Sequence, residues 1–145
     1  MIKAKLVYPL LSIMLLGTTC DENHECHKSI MIINNSNQAI YVQGETHYPD
    51  TLYFGHYSGL TSNPEIFKVQ PSSSSDNPLQ RRDCYEDIFN YGVEIPSGIL
   101  MVYIFDAGIL ESTPWSTVVN DYLVLKRFDL SLQNLQKMEW TITYP

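Results

Sequence analysis

Seven consecutive residues, Ile99 to Phe105, form the longest apolar run outside the first twenty residues, and Gly98 and Asp106 bound it. The run does not alternate between apolar and polar, so it describes a strand covered on both faces rather than one with a wet side. Seven residues are too few for a buried helix to be the first choice. Any fold open to this chain must set this strand at its centre. Val102 and Ile104 would then point into one layer of packing, and Met101, Tyr103 and Phe105 into another.

The rest of the chain is read outward from that strand. Ser29 to Ile33 and Ala39 to Val42 are short apolar runs joined by Asn34-Asn35-Ser36-Asn37, whose side chains favour turns by bonding their own backbone, so a hairpin or tight connection is expected there. Pro49 marks a bend. Leu52 to Tyr57 and Ile66 to Val69 read as further strands, and Gln70 to Pro78, with four serines between two prolines, as a solvated loop. Asp83, followed by Glu86 in the manner of a capping box, opens a two-turn helix over 84–91, and Gly92 suits the position just past its end. Thr113-Pro114 starts another short helix through Asn120. Tyr122 to Phe128 is a second strong strand. Ser131 caps a helix reaching Met138, with Leu130 and Leu135 spaced as a hydrophobic staple. The chain closes on Glu139 to Tyr144, a strand with Trp140, Ile142 and Tyr144 on one side.

Six or more short strands with small helices in the connections, in a chain holding ten tyrosines, predict a mainly β fold: a single antiparallel β-sandwich of immunoglobulin or transthyretin type. The alternative is an α+β sheet, since strand, helix, strand, helix, strand also describes the last fifty residues. Three segments are expected: a leader over 1–19, an acidic tether over 20–28 and the β domain over 29–145.

The leader carries its own chemistry. Lys3 and Lys5 precede an apolar stretch, Leu6 to Leu16, which is shorter than the roughly twenty residues a spanning helix needs, and Gly17-Thr18-Thr19 leads to Cys20. This arrangement resembles the lipobox of bacterial lipoproteins, in which the cysteine receives a diacylglycerol and becomes the new N-terminus. Gly17 stands where that family usually has leucine, and Thr19 where it usually has Gly or Ala. The other reading is an ordinary secretory signal cut near Thr19. Loss of two lysines with the leader takes the formal charge from −7 to −9. Such a surface repels phosphate backbones, so nucleic acid is not an expected partner, and attachment to a membrane is left to the lipid on Cys20.

Ile104-Phe105-Asp106, Pro114-Trp115, Leu123 to Leu130 and the ending Trp140 to Pro145 together resemble a group of small Bacteroidota lipoproteins, as do the Asn34 turn and the bend over 48–51. In that group acidic residues after the lipidated cysteine, here Asp21 and Glu22, resemble a surface-export signal; in enterobacteria Asp21 would instead imply inner-membrane retention. The resemblance implies a lipid-anchored, β-rich domain at the surface or in the periplasm. It implies no activity, and no catalytic residue or cofactor is carried over.

The candidate sites are few. His24-Glu25-Cys26-His27 is a cluster of metal-ligand types without a second pair at zinc spacing; His47 and His56 add ligands only if the fold brings them close. Asp83, Glu86 and Asp87 cluster as capping residues do. Arg81-Arg82, adjacent cations in an acidic chain, read as a solvated loop or as partners of Asp83 and Glu86. Trp115, Tyr48 and Tyr53 are the aromatics offered as stacking contacts for a glycan, against the plainer reading as core. No Gly-x-Ser-x-Gly turn is present, so the expectation is a non-catalytic binding or scaffolding module with a protein or glycan partner; a glycan-binding accessory is the runner-up, and a hydrolase a more distant one. In an oxidising compartment Cys26 and Cys84, the even pair left after Cys20, are expected to be bridged, the alternative being two unrelated thiols.

Overall fold

The structure is a computed structural model that describes residues 25–50 and 59–145. Cys20, Tyr53, the leader and the strand expected over 52–57 lie outside the described residues. The elements run β1 Met31–Asn34, β2 Ile40–Glu45, α1 Pro64–Phe67, β3 Lys68–Val69, β4 Ser73–Ser75, α2 Tyr85–Tyr91, β5 Leu100–Asp106, α3 Ala107–Ser112, α4 Trp115–Asn120, β6 Lys126–Leu130, α5 Leu132–Lys137 and β7 Thr141–Tyr144.

Two sheets form, of order β4-β1-β7 and β3-β2-β5-β6. Strand β5 is central, and Leu100 to Phe105 are all buried. Its two faces feed separate cores. Leu100, Val102 and Ile104 join Ile40 and Val42 of β2, Ile32 and Ile142 of the three-stranded sheet, Tyr85 and Ile88 of α2 and Leu135 of α5. Met101, Tyr103 and Phe105 join Tyr41, Ala107, Val118 and Leu60, with Trp115 and Leu110 packed at the margin. The larger sheet is thus sealed on one side by the smaller sheet with α2 and α5, and on the other by α3 and α4.

The fold is α+β, the alternative drawn from the sequence: two sheets form, but helices are as prominent as strands and the pairing is not purely antiparallel. About 31% of the described residues are helical and 27% are in strands, and the smaller sheet is mixed. In it β1 runs parallel to β7, Ile32 opposite Ile142, and antiparallel to β4, Ile32 opposite Ser75. Helix content was underestimated because α3 follows directly on β5. Asp106 ends the strand and also caps the helix, accepting from Ile109 N at 2.8 Å.

The turn over 34–37 does not close a hairpin, because β1 and β2 belong to different sheets. Asn34 makes the transfer. It is fully buried; its Nδ2 donates to the carbonyls of Gln38, Gln70 and Val69 at 2.9, 3.0 and 3.3 Å, while its Oδ1 accepts from Ser36 N and Oγ. One amide thereby ties three chain segments at the sheet junction.

Four other elements differ in place. Ser73–Ser75 forms strand β4 instead of a solvated loop, because an edge of β1 supplies backbone partners whatever the side chains are. Pro64 begins one turn of helix where a strand was expected over 66–69, leaving Lys68–Val69 for the sheet. The ladder of β6 starts at Lys126. Tyr122, at φ +51°, turns the chain after α4, so that Leu123 and Val124 cover the second core instead of pairing. The last strand starts at Thr141, since Glu139 and Trp140 both take left-handed φ values of +51° and +55°. Trp140 still shares a core with Ile142 and Tyr144, but it reaches that core from a turn. Gly44 lies inside β2, where a Cβ would sit 2.9 Å from Leu79 Cδ2 and would displace the end of that side chain.

Candidate functional site: the bridged corner and its clefts

The paired cysteines, His27 and Glu86 meet at one corner. Cys26 and Cys84 are joined by a disulfide, their Cα atoms 4.9 Å apart and 58 residues apart in the chain. The bridge draws the segment after it onto the domain: Tyr85 N donates to His27 O at 2.8 Å and Arg81 N to Lys28 O at 2.7 Å. Residues 26–28, read as tether, are therefore held on the fold.

The bridge also decides what the acidic cluster does. Cys84 occupies the N-cap of α2, and no side chain caps that helix. Glu86, expected in a capping box with Asp83, turns instead to His27, accepting from its backbone N at 2.9 Å and contacting its Nδ1 at 2.5 Å. Burial pushes the Glu86 carboxyl up, but the His27 backbone N–H and ring, with the backbone N–H of Glu86 itself, outweigh it and hold the group below the usual carboxylate range. The His27 ring stacks on Trp140, centroids 4.2 Å apart and planes 13° apart. Among the described residues no group of three His, Cys, Asp or Glu is placed to hold a metal ion; His24 and His56 lie outside them, and His27 is engaged by Glu86 and Trp140.

A second buried carboxylate lies at the end of β2. Glu45 is as buried as Glu86, each 7% exposed, yet its pKa moves the other way. Burial dominates and raises it against the opposing Gln43, His47 and Arg81. Gln43 Nε2 donates to Glu45 Oε1 at 2.8 Å, and His47 Nδ1 is 3.9 Å from Oε2. On the same face burial lifts the Tyr103 hydroxyl to about 12; it donates to Met101 Sδ at 3.3 Å. Nearby, Gln43, Gly44, Phe67, Leu79, Gln80 and Arg81 help line a cleft of about 270 Å³.

Of the three aromatics offered as glycan contacts, Trp115 and Tyr48 are among the described residues. Trp115 is half-buried and meets the Phe105 ring edge-on at 6.0 Å, as a core residue does. Tyr48 is 39% exposed beside the cis-bonded Pro49, and Tyr53 lies outside the described residues. Arg81 faces neither Asp83 nor Glu86: its Nη1 is 3.8 Å from Glu94 Oε2, while Arg82 is exposed.

Sequence reasoning missed three features. The first is the His27–Glu86–Trp140 arrangement, whose members are brought together by the bridge, the backbone bonds beside it and the pairing of β1 with β7. The second is buried Glu45, which no local pattern marks. The third is a groove of about 240 Å³ beside α2, lined by Asp83, Asp87, Ile88, Tyr91, Val93 and Glu94; the exposed Tyr91 and Val93 flanking Gly92 were its available signal. No protein-family model matches the chain, and no curated protein or solved structure matches it either.

Proposed function

We propose that the chain is a lipoprotein, anchored outside the cytoplasm through Cys20, whose domain binds or scaffolds a partner without catalysis. The observation that carries this reading is the division of labour among three cysteines. Cys20 closes a lipobox-like leader, and Cys26 and Cys84 are spent on a bridge, a bond that persists in oxidising compartments. Six chain steps separate Cys20 from Cys26, so the bridged corner lies within about 20 Å of the anchor. Binding is favoured over catalysis because the buried ionisable groups have structural partners: Glu86 with His27, Glu45 with Gln43, Tyr103 with Met101.

Fractionation tests the anchor. Cys20→Ala should abolish labelling by a radioactive or clickable fatty acid and move the protein from the membrane to the soluble fraction, since the several acyl chains of a lipoprotein contribute about 0.8 kcal/mol per buried CH₂. Unchanged membrane partition in the variant would overturn the reading.

A further inference from the structure

The longest edge strand among the described residues is β6. It ends the order β3-β2-β5-β6 and pairs with β5; the other edges, β3, β4 and β7, hold two, three and four residues against its five. An edge leaves the backbone groups that point away from its sheet as a template for one more strand, and charge usually blunts it. Three of the five residues of β6, Lys126-Arg127-Phe128-Asp129-Leu130, are charged, and their order is what matters. The register on β5 sets Arg127 and Asp129 opposite Tyr103 and Met101, on the face of the second core, and Phe128 opposite Val102 on the face of the first. Arg127 and Asp129 form a two-pronged pair along the strand, Nε to Oδ1 at 2.7 Å and Nη2 to Oδ2 at 2.6 Å. On the other face Phe128 is half-buried against the first core, and Lys126 Nζ stands 5.7 Å from its ring centre.

We propose that β6 pairs with β6 of a second copy of this chain, antiparallel across a two-fold axis at Phe128, joining the two larger sheets into one. Charge order selects both the occupant and the register. A two-fold axis normal to the sheet keeps like faces together, so the pairing must centre on a residue. Centred on Phe128, Arg127 faces the second copy's Asp129 and Asp129 faces its Arg127, two opposite-charge pairs on one side of the joined sheet. On the other side the two Phe128 rings meet, and each Lys126 stem lies against the second copy's Leu130. Centred instead on Arg127 or on Asp129, the same strands would set like charges directly opposite. The pair within each strand does not have to break: a guanidinium has five N–H donors and a carboxylate about four acceptor sites, and the pair uses two of each. Leu125, 42% exposed just before the strand, falls opposite the second copy's Ser131 in this register. The inference goes beyond the binding-module reading by naming a partner, and its test reads the strand and not the lipid, so the two can fail separately.

The test is sedimentation of the exported protein with its bridge intact, in a density-matched detergent so that any acyl chains are dispersed alike in every variant. The native chain should show a monomer–dimer equilibrium with a Kd on the order of 10–100 μM, as suits a small interface. Arg127→Glu and Asp129→Arg each place two like-charge pairs across the axis and should each weaken dimerisation at least about tenfold. An equimolar mixture of the two variants restores both opposite-charge pairs, because the acidic strand of one meets the basic strand of the other, and should associate within about threefold of the native chain. Both side chains reach solvent, near-UV circular dichroism checks that each variant keeps the fold, and the native-chain measurement stands without them. A native chain still monomeric at roughly 1 mM, a single variant that dimerises as well as the native chain, or a mixture no tighter than its components would each overturn the proposal.

Discussion

Removing the bridge by Cys26→Ser/Cys84→Ser should cost this domain a large share of its stability. The bridge spans 58 residues, and for a loop of that length the chain-entropy relation gives about 4 kcal/mol, gained by restricting the unfolded chain. A folded-state loss adds to this. Without the bridge, the stack of His27 on Trp140 and the bonds from His27 to Glu86 must be held by backbone contacts at His27 and Lys28 alone. The expected total is about 3–5 kcal/mol, set against the roughly 5–15 kcal/mol that keeps a domain folded. Urea unfolding followed by tryptophan fluorescence measures it, because Trp140 lies under the His27 ring. Two readouts separate the causes. A looser unfolded chain should raise the denaturant slope, whereas a purely folded-state loss should lower the midpoint at constant slope. A loss below about 1 kcal/mol with an unchanged slope would refute both arguments, and reductant added to the native protein should reproduce whatever the variant shows.

Ile104→Ala and Phe105→Ala, in adjacent residues feeding different cores, should each cost about 2–5 kcal/mol by chemical denaturation; a loss under about 1 kcal/mol at either would mean that its face is not packed. Asn34→Ala removes the donor to three carbonyls and should cost about 1–3 kcal/mol, with Asn34→Asp at least as damaging, because a carboxylate would face the same carbonyls. The two buried carboxylates should respond to pH with opposite signs. Glu86 has its pKa held down in the fold, so its stabilisation is present above the ordinary carboxylate range and lost as pH falls through the folded value; Glu86→Gln should be less stable at neutral pH and flatter on the acid limb. Glu45 has its pKa raised by burial, so its ionised form costs stability above the folded value; Glu45→Gln should be more stable at neutral pH, with the gain vanishing on acidification. Melting temperatures across about pH 3–7 decide it, and two variants shifting in the same direction would refute the contrast.

Local pattern was enough for elements whose causes are local. Leu100 to Phe105 is buried on both faces because an unbroken apolar run has no side to give to water. The capped helix at Ser131 forms as spaced, with Asn134 completing the capping box, and Gly92 ends α2 in the left-handed conformation that its lack of a Cβ permits. Tertiary structure decided the rest. Four serines carry no strand propensity, yet three of them form one where β1 leaves an open edge. Apolar Leu123 and Val124 are drawn out of the ladder because the second face of the sheet needed covering. The parallel pairing of β1 with β7 joins segments about 110 residues apart, which hydrophobic period does not encode. The same holds at the bridged corner. The sequence by itself supplied two cysteines, a histidine, a glutamate and a tryptophan as separate residues, along with the acidic balance. Only the fold set His27 between Glu86 and Trp140, left Glu45 and Glu86 equally little exposed, and gave one of them bonds that outweigh burial and the other bonds that do not, because pKa and contact depend on which groups meet in space and not on their order in the chain.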